Sequence, residues 1–333
     1  MWIAKPIDRL SEEEKLSWEA IPQKPLAQSL AWASAMKSLG TPSFLIFNPE
    51  EKVGGIVFAS HLRSGLGSKV QLECVNGPLL HWDDSSVVSR QLATFALACS
   101  KLNPQFARLT LRPRWEKGQI QKRMSHLPVA LTQSTLSSTL VVKLQGCQKT
   151  QWNQLSPRLR RTLRTTWKEP LRTTWQELTP TLLRPFTEAL REFSARRQFT
   201  VPPDAWFESL TLTPRVSDQH SPRFWMVTAQ RTSLHLPSTE SQAQLLVASQ
   251  GTTAHYLFGF TQKAHAQKSS TSLSAVAHWE ALTQCSKLGL ENYDLNGYMT
   301  DPKTDHPYFG VAQFKKQFAG AVVEYEVPEF IIE

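Results

Sequence analysis

Two lysines lie between two phenylalanines in the run Phe314-Lys315-Lys316-Gln317-Phe318, and this spacing could do chemistry. An ammonium group fixed beside developing negative charge can stabilise a transition state by roughly 3 kcal/mol. The run has a second interpretation, in which the two phenylalanines, four residues apart, form the core stripe of a short helix. Both lysines would then lie on the solvated face of that helix. The run alone leaves both interpretations open.

Positive charge is concentrated in the middle of the chain. The chain has 37 Lys and Arg against 28 Asp and Glu, a formal net charge of +9, and this favours a phosphate-rich partner. Arg158, Arg161 and Arg164 recur at every third residue and share one helix face, with Arg160 beside them. A merely solvated helix face alternates the sign of its charges, and this one does not. The pattern suits an RNA backbone or a diphosphate.

A turn precedes the two lysines. The run Tyr293-Asp294-Leu295-Asn296-Gly297 predicts a strand that ends in a turn, held by an Asx hydrogen bond to the Asp294 side chain. Asn296 suits such a turn because asparagine adopts left-handed backbone conformations more readily than most residues do.

The chain from Tyr293 onward resembles the C-terminal signature of the Fem family (FemABX) of peptidoglycan branching peptidyltransferases. The similar residues are Asp294-Leu295-Asn296-Gly297, Tyr308-Phe309-Gly310, Phe314-Lys315, Phe318-Ala319-Gly320 and Glu324-Tyr325. The resemblance implies transfer of an amino acid from aminoacyl-tRNA to an amine of the stem peptide of UDP-MurNAc-pentapeptide or lipid II. It implies that Lys315, which follows Phe314 in the catalytic pair, stabilises the oxyanion. It also implies that Tyr308 contacts the substrate.

A second similarity to the family lies near the N-terminus. Gln28-Ser29-Leu30-Ala31-Trp32, followed by Lys37, is similar to the Gln-Ser-x-x-Trp and Lys pattern of the family's second helix. The resemblance implies that Lys37 and Trp32 contact the diphosphate and the uracil of a UDP-sugar carrier, and a lysine suits phosphate as a compact point charge. Lys37 follows Trp32 by five residues where four is usual. The alternative is a helix-face lysine beside a core tryptophan.

The predicted elements occur twice in one order: two helices, three strands, a helix, a strand, a short helix and a strand. Before residue 145 they lie at about 11–20, 30–39, 43–48, 53–60, 70–75, 85–102, 106–111 and 138–144; later ones lie at about 181–197, 203–212, 223–229, 243–249, 253–260, 271–288, 291–295 and 321–327. This order predicts an α/β fold with two tandem GNAT-like domains, each a mixed β-sheet flanked by helices. The Fem family consists of two such domains.

We expect the first domain at residues 1–145, completed by the C-terminal strand 319–333, and the second at residues 146–318. The basic segment Arg158, Arg160, Arg161 and Arg164 resembles the helix that opens the family's second domain, and there it would bind tRNA or another phosphate. Aminoacyl-tRNA and a peptidoglycan precursor are therefore the expected partners.

Other chemistries find little support in the sequence. The four cysteines are widely spaced and predict buried thiols in a reducing compartment, and the histidines lack metal-ligand spacing. We expect no metal and no organic cofactor, because an aminoacyl ester is already activated. No apolar run approaches the ~20 residues of a membrane helix, so we expect a cytoplasmic protein without a transmembrane segment, capable at most of peripheral membrane contact.

Two alternative functions stay open. The first is a tandem GNAT acyltransferase that uses acyl-CoA or another donor on a different amine. Such enzymes hold the coenzyme A pyrophosphate on a glycine-bearing loop before a helix, and the loop at 261–270 contains no glycine. The second is a noncatalytic, GNAT-derived protein that binds RNA or a cell-wall precursor.

Overall fold

The computed structural model describes residues 1–332 except 23, 65–66, 103–105, 126, 128–130, 145, 213–220, 233–240 and 263–271. The chain forms two compact units: Met1–Ser137 with Glu208–Pro222 and Glu324–Glu333, and Ser138–Phe207 with Arg223–Val323. Most of the glycine-free loop at 261–270 lies outside the described residues. Among the residues described, no helix is both long and apolar enough to cross a membrane.

The following strands and helices occur up to residue 143. They are β1 (Ile3–Pro6), α1 (Glu12–Glu19), α2 (Leu30–Ser38), β2 (Ser43–Asn48), β3 (Val53–Ser64), β4 (Gly67–Val75), α3 (Ser85–Ser100), β5 (Phe106–Arg112), β6 (Trp115–Glu116), α4 (Ile120–Met124) and β7 (Leu131–Lys143). The later elements are α5 (Gln148–Gln154), α6 (Pro157–Thr166), β8 (Leu171–Glu177), α7 (Pro180–Arg197), α8 (Asp204–Leu212), β9 (Arg223–Arg231), β10 (Gln242–Gln250), β11 (Thr253–Gln262), α9 (Leu273–Lys287), β12 (Asn292–Asp294), α10 (Phe309–Lys316) and β13 (Ala321–Ile332).

In the first unit the strands follow the order β1-β2-β3-β4-β5-β13, with β6 also paired to β13. Strands β4 and β5 are parallel and the other pairs are antiparallel. Successive residues of a strand face opposite sides of a sheet, so Ile46 of β2 packs in one cluster with Leu92 of α3. Phe47 packs on the other side with Trp18 of α1. Helices therefore cover both faces of this sheet.

In the second unit the strands follow the order β7-β12-β11-β10-β9-β8. Strands β11 and β12 are parallel and the other pairs are antiparallel. On one face Leu163 of α6 packs in a cluster with Val227 of β9 and with α9. On the other face Phe186 of α7 contacts Phe207 of α8 and Phe260 of β11. This architecture confirms the predicted fold class, α/β with two units that each contain a mixed sheet flanked by helices.

Most predicted elements are present, and the exceptions have physical reasons. Helix α3 begins after Asp84, whose carboxylate accepts the amide N–H of Ser86, as an N-cap residue does. Helix α6 ends before Pro170 and β8 begins directly after it, as a proline at that place predicts. Strand β7 begins at Leu131 rather than near 138. The sequence does not indicate its first half, because residues 131–137 are exposed and carry no apolar alternation. Strand β1 and helix α5 are short and were not predicted.

The cysteines differ from the prediction at one position. Cys74, Cys99 and Cys285 are buried, as expected. Cys147 is exposed, because it is the N-cap residue of α5 at the surface. The prediction of a buried thiol is therefore wrong for Cys147.

Candidate active site

Helix α10 buries one of its two lysines. Phe314 is half-buried, Phe318 is fully buried, and their rings meet edge to face with centroids 5.3 Å apart. This confirms that the phenylalanines form the core stripe of the helix end. Lys315 is only 7% exposed, whereas the side chain of Lys316 is 63% exposed. The interpretation that both lysines lie on a solvated face is therefore wrong for Lys315.

The ammonium group of Lys315 is held by main-chain oxygens. Its Nζ donates to the carbonyl of Asn296 and, at 2.9 Å, to that of Gly297. It also lies over the ring of Tyr256, 5.8 Å from the centroid. Within the described part of the chain no carboxylate pairs with it. Burial lowers the pKa of Lys315 to about 8, although the charge of Asp294 acts in the opposite direction.

The turn after β12 positions those two carbonyls. Asn296 and Gly297 both have left-handed φ angles, +49° and +42°, and in this turn both carbonyls accept from the same ammonium. Asp294 holds the turn, because its Oδ1 accepts the N–H of Asn296 at 2.8 Å and the hydroxyl of Thr139. The predicted Asx turn and the left-handed asparagine are both confirmed.

Asp294 keeps its negative charge despite its burial. Burial alone would raise the pKa of this carboxyl group. The imidazole of His255, whose Nδ1 lies 3.6 Å from Oδ2, and the hydrogen bond from Thr139 outweigh burial and hold the pKa of Asp294 below its usual range. A buried carboxylate thus lies behind the turn whose carbonyls face Lys315.

Aromatic rings and a neutral histidine surround the lysine. The ring of His278 lies 4.8 Å from that of Tyr256 and 5.5 Å from that of Phe314, and its Nδ1 is 3.1 Å from the hydroxyl of Tyr293. Burial and the charge of Lys315 lower the pKa of His278 to about 3, so the imidazole is neutral at pH 7. Burial raises the pKa of Tyr256 to about 12. Lys315 therefore carries the positive charge in an otherwise uncharged aromatic wall.

Sequence reasoning did not find His278, Tyr256 or Thr139. The signal for His278 was weak: a single histidine among the apolar residues of α9 predicts a core histidine, and its hydrogen bond to Tyr293 fits that description. Tyr256 and Thr139 lie on strands remote in sequence from Lys315. Only the folded structure brings them to the lysine.

The basic helix α6 presents its arginines to solvent. Leu159 and Leu163 are buried on one side, while Arg158, Arg161 and Arg164 are exposed. None of these three guanidinium groups has an acidic partner among the residues that the structure describes. A phosphate could therefore approach them without displacing a carboxylate.

The start of α6 lies beside the end of α10. The amide N–H of Ser156, the N-cap residue of α6, donates to the carbonyl of Gln317 at 3.0 Å. Gln317 is two residues after Lys315. Arg160 differs from the other arginines because it is half-buried and donates to the carbonyl of Asn153. The structure therefore brings the basic helix next to the segment that carries Lys315.

The remaining predicted site residues have these surroundings. On α2, Lys37 forms an exposed ion pair with Asp8 at 2.8 Å, and Trp32 is half-buried against an apolar cluster. Gln28 is buried, and its side chain bonds the main chain of β3 and β4, which is a structural role. Tyr308 is 51% exposed at the start of α10. Lys37 and Trp32 belong to the first unit, and Tyr308, Phe314, Lys315 and α6 belong to the second.

No family model and no curated protein sequence matches this chain. Among solved structures, FemX has a TM-score of 0.74 at 12% identity, covering 98% of this chain and 96% of its own. L-PGS from Bacillus licheniformis has a TM-score of 0.56 at 8% identity, covering 98% and 93%. The C-terminal domain of a protein named as a lysylphosphatidylglycerol synthetase, from Agrobacterium fabrum, has a TM-score of 0.54 at 11% identity, covering 96% and 92%. At these identities the likeness establishes the fold alone, and the chain has a fold similar to that of FemX.

Proposed function

We propose that this chain is an aminoacyltransferase of the FemABX type. It would move an amino acid from aminoacyl-tRNA to an amine of the stem peptide of UDP-MurNAc-pentapeptide or lipid II. The observation that carries the proposal is the buried ammonium of Lys315, on a helix whose end contacts the start of a basic helix. Burying a cation without a carboxylate partner costs stability, and a reaction that develops negative charge gives this arrangement a use.

The proposed chemistry needs one preorganised donor. An acceptor amine attacks the ester carbonyl of the aminoacyl-tRNA and the carbonyl oxygen becomes an oxyanion. Collapse of this intermediate breaks the ester C–O bond, and the departing ribose oxygen gains the proton that the amine loses. An ammonium has three donors, and two of those on Lys315 bond the carbonyls of Asn296 and Gly297. These bonds fix the direction of the third N–H, which donates to the oxyanion. A donor fixed before the reaction needs no reorganisation when the charge appears.

The surroundings of Lys315 support this role. The neighbouring rings of His278 and Tyr256 are neutral, so they do not compete with the oxyanion for the ammonium, and the buried charge of Asp294 helps to keep Lys315 protonated. Electrostatic interactions are also stronger in such an apolar wall than in water. Phe314 shapes this wall through its contact with His278.

We assign the binding of phosphates to exposed cationic side chains. In this proposal the arginines of α6 bind phosphates of the tRNA, and Tyr308 contacts the substrate. Lys37 and Trp32 bind the diphosphate and the uracil of the carrier. The pair between Lys37 and Asp8 is exposed, and such pairs contribute at most about 1 kcal/mol, so a diphosphate can replace the carboxylate. We propose residues 1–145 with 319–333 as the carrier-binding domain and residues 146–318 as the catalytic domain.

A second candidate acceptor is a lipid headgroup. The fold is also similar to that of the Agrobacterium protein whose name includes lysylphosphatidylglycerol. The proposed donor and the proposed role of Lys315 are the same for both acceptors. Only the acceptor differs, so the acceptor is what an experiment must vary.

The experiment uses purified protein and tRNA charged with labelled amino acids. Each charged tRNA is offered with UDP-MurNAc-pentapeptide, with lipid II, or with phosphatidylglycerol vesicles, and label transferred to the acceptor is measured. A parallel reaction offers acetyl-CoA with the same acceptors. We expect label on a peptidoglycan precursor. Label on phosphatidylglycerol would select the second candidate, and acetylation without aminoacyl transfer would refute both.

A further inference from the structure

Three tryptophans in the second unit lead from the core to the surface. Trp279 of α9 is buried, Trp152 of α5 is half-buried, and Trp167, directly after α6, is 43% exposed. Trp152 meets Trp279 edge to face with ring centroids 5.3 Å apart. Trp152 and Trp167 are stacked, with centroids 5.4 Å apart and planes 24° apart. Since Trp152 covers one face of Trp167, the exposed area belongs to the opposite face and the edges.

The exposed indole lies among cationic groups. The guanidinium of Arg164 lies over the ring of Trp152, 5.6 Å from its centroid. Arg161, Lys168 and Arg172 are exposed on the same stretch of chain. The nearest acid in sequence, Glu169, is bound by Arg231. The uncovered face of Trp167 is therefore accessible beside cationic side chains that form no ion pair with an acid of the described chain.

A second acid is close in sequence to these three tryptophans and accepts two hydrogen bonds. Glu280 follows Trp279, and its carboxylate accepts the amide of Gln284 at 2.7 Å and the hydroxyl of Thr173 at 3.5 Å. Both donors are neutral, so Glu280 keeps its charge, but among the described residues it forms no ion pair with Arg161, Arg164, Lys168 or Arg172.

We infer that Trp167 is a stacking platform for an unpaired base of RNA, and that the arginines of α6 bind the phosphates on either side of that base. Stacking of bases on aromatic side chains beside a cationic groove is how proteins hold single-stranded nucleic acid. A base inside an A-form duplex is already stacked on its neighbours, so a free indole face selects a single-stranded segment. The rigid backing by Trp152 and Trp279 holds the indole in place before the RNA binds.

The position of the platform fits one occupant. Helix α6 starts beside the end of α10, near Lys315, and Trp167 follows its last residue. Ten helical residues span about 15 Å. An aminoacyl ester at Lys315 would therefore continue into single-stranded RNA that passes along the arginines and reaches Trp167. This assignment to the unpaired acceptor end of the donor tRNA rests on the proposed function.

The test measures binding of a short fluorescein-labelled single-stranded RNA, with no transfer reaction. We expect Trp167→Ala to weaken binding roughly ten-fold, the size of one stacked base, and to leave the dependence of affinity on salt unchanged. Trp167→Phe should restore most of the affinity because it keeps an aromatic face. Arg164→Ala should instead reduce the salt dependence. The unfolding midpoint of each variant shows that it is folded.

An RNA of the same length that carries abasic sites is the matched control. It keeps the phosphates, so Trp167→Ala should not weaken its binding. Equal affinity of Trp167→Ala and the unchanged protein for the intact RNA would overturn the inference, and so would an equal loss for the abasic RNA. Base-dependent binding without aminoacyl transfer would support the platform and refute the proposed function. Transfer from charged tRNA, with a KM for that tRNA unchanged in Trp167→Ala, would support the proposed function and refute the platform.

Discussion

Replacing Lys315 with methionine tests the catalytic role of the buried ammonium. Methionine keeps an unbranched chain and deletes the charge, so the fold should survive, since the lost hydrogen bonds to Asn296 and Gly297 are offset by relief from burying a cation. If the ammonium stabilises the oxyanion, kcat should fall by roughly two to three orders of magnitude, as when one preorganised donor is removed. The measurement is the rate of aminoacyl transfer at saturating substrates, with the unfolding midpoint recorded alongside.

Lys316→Met is the matched control for this variant. Lys316 is exposed on the same helix, and its Nζ lies 4.0 Å from Asp301 at the surface. We expect nearly unchanged turnover. Equal losses in the two variants, or full activity in Lys315→Met, would show that the buried ammonium does not take part in the reaction.

The lowered pKa of Lys315 gives the reaction a pH dependence. The lysine is protonated below its pKa of about 8 and neutral above it, so a rate that needs the ammonium falls as the pH rises through about 8. The attacking amine must lose its proton, which adds a limb that rises with pH. The expected profile of kcat is therefore a bell.

Lys315→Arg separates the two limbs. An arginine does not titrate in this range, so whatever activity this variant keeps should lack the descending limb. A wild-type rate that continues to rise above pH 8 would mean that the neutral lysine is the active form, and it would contradict the role of the ammonium as an oxyanion donor.

At the scale of single residues, the sequence predicted the features that depend on local spacing. The turn held by Asp294, the left-handed Asn296 and the apolar pair of phenylalanines all follow from residues within one or two turns of chain. The burial of Lys315 could not be predicted in this way. It depends on Tyr256 and His278, which come from distant elements and meet the lysine only in the folded chain.

At the scale of elements, helix α6 makes the clearest prediction. Changing Arg158, Arg161 and Arg164 to glutamate should weaken binding of tRNA and flatten the slope of log affinity against log salt concentration, because fewer counterions are released. The leucines on the buried side of α6 are untouched, so the helix should stay folded. The affinity is measured over a series of salt concentrations.

A charge-matched control is available on α7. Arg184, Arg196 and Arg197 are exposed there, and α7 packs on the opposite face of the sheet from α6. Their change to glutamate alters the net charge equally and should leave the slope nearly intact. An equal effect of both triple variants would mean that the RNA responds to total charge and not to α6.

The elements themselves were predictable to different degrees. Helix α6 has a serine cap, a proline in its first turn and buried leucines at helical spacing, so several local signals agree. The first half of β7 has none of these signals, since its residues are exposed and polar. Such a strand forms only because main-chain partners are available, and a single sequence does not show them.

At the scale of the whole molecule, the repeated order of elements predicted two α/β units. The sequence indicated less clearly which distant segments join each unit. The C-terminal strand is expected to complete the first domain, and in the structure β13 pairs with β5 and β6. The assignment of 208–222 to the first unit has no counterpart in the predicted domains, because no local pattern marks it.

The proposed division of work between the two units makes the last prediction. Lys37 contacts a diphosphate far from the reacting carbonyl in our proposal, so its contribution to binding is the same in the ground state and the transition state. Lys37→Ala should therefore raise the KM for UDP-MurNAc-pentapeptide and leave kcat largely intact. Steady-state kinetics with varied acceptor give both constants.

Asp8 supplies the control for this prediction. Its carboxylate pairs with the Lys37 ammonium at 2.8 Å, and it competes with the diphosphate for that ammonium. Asp8→Asn removes the competing charge while keeping the shape, so the KM should stay equal or fall, which is opposite in direction to Lys37→Ala. An unchanged KM in Lys37→Ala would show that the spacing of five residues after Trp32 turns Lys37 away from the carrier. A large fall in kcat would instead place Lys37 in the chemical step and overturn the division between the units.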